Sequence, residues 1–396
     1  MEVLFVAHRA PFPPDKGDRQ RGWRHIERLA TLGPVDVVAQ ADSEADAEAA
    51  RIGLSQVCRE VHVFTRRKFE AFAHVGWAFM TGQSLTVGWH RDARVVRALR
   101  RLQAEHSYDV LWSYSSGTGP WLQGSSTGSR IMDLCDVDAL KWEALANDVS
   151  GPRSWIYALE AKRLLPVEVA LAESADACLV STHREAEDIL NRGRPRRLEV
   201  LTLGYPWEAF EGMPSPSAAG PVVGFLGQMD YQPNVQAAQH LAREVFPLVR
   251  EAVPLARLSI MGRAPTEEVR ALACPGQVEV AGAIDSIPEA LAGIRVFCAP
   301  LDRGRGIPTK ILEALSAGRA TVISSWAAQA LSGVAGEHYL VADGAEERAR
   351  LIAELLDDPT RCDELGAAGR DYVKQHHDWS EVLDRLERVV REVTRA

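Results

Sequence analysis

The stretch 300–322 sets a glycine-rich loop between an apolar run and a helical segment, and its residue types suit a diphosphate. Arg303, Gly304, Arg305 and Gly306 precede Ile307 and Pro308, a proline of the kind tolerated in the first turn of a helix. Free N–H groups at the helix start, the helix dipole and Lys310 would converge on an anion there. Glu313 follows Lys310 by three residues and shares nearly the same helix face. A carboxylate so placed can accept hydrogen bonds from vicinal ribose hydroxyls, as acidic residues do in dinucleotide folds. Alone, Lys310 and Glu313 would also fit a surface ion pair; the loop ahead of them favours a nucleotide. Two further glycine turns, at 227–234 (beginning Gly227-Gln228) and at 261–263 (ending Arg263), close apolar runs and fit either a ligand contact or a plain turn.

The first half carries its own candidates. Residues 8–22 run from His8 and Arg9 through three prolines to Lys16, Gly17, Arg19 and Arg21, between a strand-like run and a helix. Gly17 permits close backbone approach and the cations add charge for a phosphate or an anionic acceptor. The pattern is not GxGxxG, so a nicotinamide-binding unit is not expected. Residues 133–142 place Asp133, Asp136 and Asp138 just after another apolar run. These carboxylates can fix sugar hydroxyls, oppose developing positive charge, hold a metal or simply cap a helix.

The elements that must position these residues alternate. Short apolar runs at 2–7, 35–39, 61–64, 108–112, 130–133 and 177–180 predict strands, with an amphipathic helix over 21–32. A second series at 222–226, 256–261, 278–281, 296–299 and 321–324 follows, with a helix over 235–250 and a helical tail after Arg348. Short buried strands separated by helices predict parallel sheets. The proline- and glycine-rich stretch 211–221 reads as a linker. The expected organisation is a Rossmann-like unit over 1–210, a donor unit over 222–378, and a last helix over 379–396 packing back on the first. Two doubly wound α/β domains facing a cleft follow from this pattern.

Composition narrows the class. With 396 residues, 46% hydrophobic and 25% charged, the chain suits two ordinary globular domains. A net charge of −9 without a basic stripe argues against nucleic acid as a partner. The first 101 residues invert the balance, with 16 basic against 12 acidic side chains. No membrane span or signal peptide is expected. Cys58, Cys135, Cys178, Cys274, Cys298 and Cys362 form no close pairs and read as free thiols of a cytoplasmic protein. Residues 66–80 join a basic start to Phe69, Phe72, Trp77 and Phe79, which fits either a packed helix or peripheral contact at the inner face of a membrane.

Together, 227–234, Pro254, 260–262, Gly282 and 300–318 occur in the order seen in family 4 glycosyltransferases, which the second half resembles. Residues 203–210 look like that family's interdomain crossover. Residues 8–18 and 133–142 are similar to a narrower group, the sugar transferases associated with exosortase and exopolysaccharide gene clusters. The resemblance implies a GT-B fold, a nucleoside diphosphate sugar (UDP- or GDP-linked) as substrate, hexosyl transfer with retention, no metal and no cofactor. It implies a glycan, lipid-linked or small-molecule acceptor. It places Glu313 on the ribose, Lys310 on the diphosphate, Gly306 and Ile307 at the donor sugar, Ile284 near the base, and Gly17 beside the diphosphate. Asp136 would lie near the reacting sugar, with His8, Arg9, Asp133 and Asp138 as acceptor or sugar contacts.

Two positions depart from the family. Its pair of glutamates seven residues apart is incomplete, because the first falls on Arg305; its arginine after the first strand of the second domain is Gln228. The missing charge would come from Arg263, Arg303 or Arg305. A GT-B epimerase or isomerase, or a catalytically silent sugar-nucleotide module, are the competing readings.

Overall fold

Thirteen strands, in two sheets, carry the described residues of a computed structural model that covers 1–15, 17–122, 128–302 and 306–395. The first sheet contains β1 (Val3–Ala7), β2 (Val35–Ala41), β3 (Glu60–Thr65), β4 (Val110–Tyr114), β5 (Ser129–Cys135), β6 (Ala177–Val180) and β7 (Leu198–Val200). The second contains β8 (Val222–Leu226), β9 (Arg257–Met261), β10 (Val278–Gly282), β11 (Val296–Ala299), β12 (Ala320–Ile323) and β13 (Leu340–Val341). Every named strand pair is parallel. Central strands such as β1, β4 and β11 are buried at each residue, as expected where helices cover both faces.

The sheet orders are β3-β2-β1-β4-β5-β6-β7 and β10-β9-β8-β11-β12-β13. Both reverse direction once, between β1 and β4 and between β8 and β11. At such a reversal the loops leaving two adjacent strands part to opposite faces and open a crevice at the carboxyl ends. The short strands β7 and β13 carry too little apolar sequence to stand out as runs, and the sequence reading passed over both.

The chain divides into two compact units, Met1–Leu203 with Val382–Ala396, and Gly204–Glu381. The stretch 211–221 lies within the second unit and is bonded there. Ser217 donates through its backbone N–H and its hydroxyl to the Asp363 carboxylate (2.9 and 2.6 Å), and Arg295 donates through Nε to the Ala219 carbonyl (3.1 Å). One of its prolines, Pro216, opens a turn of 3₁₀ helix at Pro216–Ala218.

The last helix, Trp379–Val393, buries Val382, Leu386, Val389, Val390 and Val393 along one stripe. Its polar side pairs with the first unit: Arg28 with Asp384 and Glu387, Arg197 with Glu392 at 2.6 Å. The helix expected over 235–250 is interrupted. Gln232–His240 is α-helical, Leu241–Val245 is a π turn, and Phe246–Ala252 resumes the α form. Pro247 supplies the reason, since it has no N–H for a regular ladder and the wider turn absorbs the mismatch.

Candidate functional site

In the second unit the crevice between β8 and β11 gathers most of the predicted donor residues. Gly227 and Gln228 leave β8, and Gly262 and Arg263 leave β9. The two turns touch. A Cβ on Gly262 would lie 1.6 Å from the Gly227 carbonyl oxygen, and its φ of +144° is one that side chains rarely adopt. Backbone bonds lace the loops, Gly227 N to Met261 O (3.0 Å), Met229 N to Arg263 O (2.9 Å) and Gly262 N to Gly282 O (2.7 Å). The Arg263 guanidinium reaches the Gln228 side-chain oxygen at 3.1 Å, so a cation of β9 stands beside the position where relatives were expected to carry arginine.

Across the crevice, Gly306 takes a left-handed φ of 73° and Ile307 packs its side chain on the core ahead of the helix Thr309–Ser316. Pro308 offers no side-chain cap and Ile311 N–H returns to the Pro308 carbonyl at 2.9 Å, so among the described residues the Thr309 and Lys310 N–H groups are the ones left for an anion. Ile311, Leu312, Ala314 and Leu315 bury one face. This fixes the rotation of the helix and turns Lys310 and Glu313 toward the strand ends. The Lys310 ammonium donates to the Asn234 side-chain oxygen, and Asn234 in turn donates to the Gln228 carbonyl at 2.9 Å. Its Nζ lies 5.4 Å above the Phe225 ring, and 3.2 Å from where a Gly227 side chain would begin. Ile284 follows β10, half-buried against the same core. Arg303 and Arg305 fall outside the described residues.

Burial sets the protonation of this pair. It lowers the Lys310 ammonium to about 8 although the Glu313 charge opposes the fall. It raises the Glu313 carboxyl to about 7, against the Lys310 charge and a hydrogen bond from Tyr205. Burial and then the Glu313 charge push the Tyr205 phenol upward in turn. Both groups therefore titrate close to neutrality, a property that clusters at ligand sites. Tyr205 and Asn234 were not singled out by the sequence reading. Asn234 had a signal, as a polar residue ending the 227–234 turn just before an apolar helical run. Tyr205 lies in the crossover-like 203–210 segment, but nothing there links it to Glu313, over a hundred residues away in the chain.

Replacing Tyr205 with phenylalanine removes a bond that favours the charged carboxylate. The expected result is a rise in the Glu313 midpoint, read as a shift of about half a unit or more in the pH dependence of nucleoside diphosphate affinity. An unchanged pH profile in Tyr205→Phe would remove this tyrosine from the site.

In the first unit the candidates sort into two groups. Asp133 is fully enclosed. Its Oδ1 lies 3.2 Å from the Arg21 guanidinium and its Oδ2 3.3 Å from His25 Nδ1, so it holds partners of its own unit and does not face a ligand. Burial works to raise its carboxyl, but the Arg21 charge and the His25 bond win and hold it down to about 2. Arg21 also donates to the Leu201 and Thr202 carbonyls at 2.6 and 3.2 Å, tying the Gly17–Leu32 helix to the end of the unit. Arg21→Met would strand the buried Asp133 charge, and we expect a loss of about 3–5 kcal/mol in urea unfolding. A loss within experimental error would show that the pair carries no such load.

The second group stays at the carboxyl ends. Asp136 and Asp138 are half-buried and share Lys141, at 2.6 and 3.2 Å. Burial and then the Asp136 charge raise Glu185 to about 8, while burial and the Asp138 charge carry Glu168 well above its ordinary range. Glu168 accepts the N–H groups of Asp138 and Ala139 (2.8 and 3.1 Å), and Glu185 that of Val137 (3.3 Å), which fixes the start of the Asp138–Asp148 helix. Lys141 lies within the 133–142 stretch, whereas the two buried glutamates carry no sequence signal, since nothing local marks a glutamate that serves a distant helix start.

Cys135 and Ser115, ending or following β5 and β4, both adopt positive φ (61° and 74°). Strained residues of this kind cluster where a backbone must present groups to a ligand. His8 follows β1; its Nδ1 is 3.4 Å from the Tyr114 carbonyl, and burial keeps it neutral at pH 7. Arg9 pairs with Asp18 at 2.8 Å. Gly17 begins its helix with open space where a side chain would be, whereas Lys16 lies outside the described residues. Among the described residues, the donor atoms that converge closely enough for a metal belong to Glu60, Glu105 and His106, at the amino end of the first sheet. The carboxylates after β5 are not part of that group.

Two parallel doubly wound sheets, each with its crevice at the reversal of strand order, define the GT-B class of architecture. Residues 220–358 match the family described as Glycosyl transferases group 1. A phosphatidyl-myo-inositol mannosyltransferase of Mycolicibacterium smegmatis is 32% identical over 204 residues, 50% of this chain and 48% of that protein. The chain thus matches about half the length of this relative. Among solved structures, a sucrose-phosphate synthase of Thermosynechococcus elongatus superposes with a TM-score of 0.72 at 16% identity, covering 99% of each chain. The Anabaena protein HepE in complex with UDP superposes with a TM-score of 0.70 at 15% identity, over 99% of this chain and 100% of the other. At such identities these structures speak to the fold.

Proposed function

We propose that the protein is a retaining, metal-independent glycosyltransferase that moves a hexose from a UDP- or GDP-sugar to a hydroxyl of a glycan, lipid-linked or small-molecule acceptor. The observation that carries the proposal is the Lys310–Glu313 pair at an uncapped helix start, facing the touching Gly227 and Gly262 turns. That arrangement supplies a cation and free N–H groups for a diphosphate, and a carboxylate one helical turn further on for ribose. The HepE structure in complex with UDP-glucose, and the group 1 match over this segment, support the same donor class.

In this reading transfer proceeds at the face the diphosphate leaves, without a protein nucleophile. The acceptor oxygen bonds to the anomeric carbon as the carbon–oxygen bond to the diphosphate breaks, and the departing phosphate oxygen takes the acceptor proton. Lys310, Arg263 and the helix start stabilise the leaving charge in place of a metal. In the first unit, Asp136, paired with Lys141, is the carboxylate we assign to oppose positive charge on the sugar, and His8, Arg9 and Asp138 are the residues we assign to an acceptor. We assign the enzyme to cell-surface polysaccharide synthesis in the cytoplasm, in peripheral contact with the membrane, on the resemblance of residues 8–18 and 133–142 to exosortase-associated sugar transferases.

A thermal-shift panel of UDP, GDP, ADP and dTDP, with magnesium and with chelator, tests the donor site. Stabilisation by one diphosphate, unchanged by chelator, is expected; at a hundredfold excess over Kd it amounts to about 2.7 kcal/mol. No response to any of the four would sink the proposal. Product analysis with and without acceptor separates transfer from epimerisation, which needs no acceptor.

A further inference from the structure

The helix Lys68–Thr81 is built the wrong way round for a helix that only packs on its own unit. Its small residues Ala71 and Ala78 face inward, while Phe69 is 93% exposed, Met80 82%, Phe72 62% and Trp77 47%. A water-facing helix normally turns its large apolar side chains to the core. The patch extends beyond one helix. Phe79 meets Trp155, itself 57% exposed, at 6.0 Å between ring centroids, and Trp155 belongs to the long helix Pro152–Ser174.

Topology puts this surface on the acceptor side. The Asp138–Asp148 helix starts just after β5, and the Pro152–Ser174 helix returns almost directly to β6. With 23 residues the return helix is about 34 Å long, far longer than a strand, so the tip near Gly151 stands beyond the carboxyl edge of the sheet. Trp142 of the outgoing helix donates to Thr86 at 3.2 Å, linking the tip to the segment after the aromatic helix.

The charges around the patch select what covers it. Arg67 and Lys68 stand exposed at the start of the aromatic helix, where Glu70 pairs with Arg67 at 2.8 Å and leaves the cations around the patch in excess. The Arg91 guanidinium lies 5.2 Å over the Trp77 ring and that of Arg163 5.7 Å over Phe79, where it also donates to the Phe79 and Gln83 carbonyls (3.3 Å each), so both carry positive charge onto the aromatic surface. Glu160, the acid of the neighbouring helix nearest Trp155 in sequence, is withdrawn from the surface and spends its oxygens on Ser84, Leu85 and Thr86. A second copy docked patch to patch would bring these cations against their own kind. We infer that this face seats in the headgroup layer of an anionic phospholipid bilayer, with Phe69, Phe72, Trp77, Met80 and Trp155 entering the acyl boundary and the cations meeting lipid phosphate. This deepens the proposed function by placing a bilayer beside the acceptor end of the first unit.

The test is flotation of the full chain, without nucleotide, on vesicles of phosphatidylcholine alone and on vesicles of equal parts phosphatidylcholine and phosphatidylglycerol. Binding to the mixed vesicles at least tenfold above the neutral ones is expected. The double variant Phe69→Glu, Met80→Glu, at positions too exposed to affect folding, should lose at least tenfold of that binding while keeping the parent melting temperature and nucleotide response. Arg67→Glu with Lys68→Glu should reduce the preference for the anionic lipid. No binding by the parent chain, equal binding by the Phe69/Met80 variant, or equal affinity for neutral vesicles would overturn the inference. A parent dimer that becomes monomeric in the same variant, without vesicle binding, would assign the face to a second copy instead. Because the assay omits nucleotide, its failure leaves the donor-site proposal standing, and the nucleotide panel can fail without touching this result.

Discussion

Lys310→Ala is expected to lower turnover about 10²–10³-fold, the effect typical of removing one placed donor from a developing oxyanion. The size follows from position. Lys310 is a side-chain cation held at an uncapped helix start, and Asn234 and Phe225 fix where its ammonium stands. Burial of the ammonium among those neighbours would let its charge act at short range in a poor dielectric. The fold should survive. The folded ammonium titrates at about 8 against an ordinary 10.5, so below pH 8 the charged form carries its full desolvation cost, which fades as pH rises through the window from 8 to 10.5. Removing the amine at pH 7 therefore takes away a destabilising charge, and a melting temperature within a few degrees of the parent is expected. Single-turnover rates with a saturating donor, beside a thermal melt, check both halves. A rate within threefold of the parent would remove Lys310 from the chemistry.

Glu313 gives the second large effect, visible in binding. Two hydrogen bonds from ribose hydroxyls to an ionised carboxylate are worth about 1.5–3 kcal/mol each, so Glu313→Ala should weaken nucleoside diphosphate affinity by at least tenfold. The pH dependence is more specific. Affinity of the parent should rise as pH increases through about 7, where the buried carboxyl ionises, and the rise should vanish in Glu313→Gln. Stability runs the other way. The folded group keeps its proton from 4.5 up to about 7 while the unfolded one has released it, so stability falls across that window and the whole cost is present above it. At pH 8 Glu313→Gln should melt at least about 2–4 °C higher than the parent, the shift that one kcal/mol brings in a unit of this size. A variant that binds less tightly yet melts higher is the signature of a residue kept for function. Calorimetric titration from pH 6 to pH 8 with scanning melts measures both, and a flat parent profile would refute the assignment.

Much of the architecture was legible because its causes are local. Runs such as 177–180, 222–226 and 296–299 are too short and too uniformly apolar to be anything but buried parallel strands, and the helices between them dictate the crossovers. The same holds for the Lys310–Glu313 helix and the glycine turns beside it. Proline at the helix start, Lys310 and Glu313 one turn apart and glycines at the ends of β8 and β9 are fixed by spacing along a single stretch of chain.

Tertiary structure decided whatever depends on residues distant in sequence. Asp133 and Asp136 are three residues apart and equally acidic, yet one is sealed beneath Arg21 and His25 while the other stands at the strand end with Lys141. The pleat and the positive-φ turn at Cys135 sent them to different surroundings, and no composition rule separates them. Tyr205 bonds Glu313 only because the chain enters the second unit beside that helix, and Asn234 receives Lys310 only because β8 and β11 are neighbours in the sheet. The aromatic helix shows the same division. Its residues declared an apolar, basic-flanked segment, but which face turned outward was set by where Ala71 and Ala78 found room to pack, a fact about neighbouring elements that the segment itself does not contain.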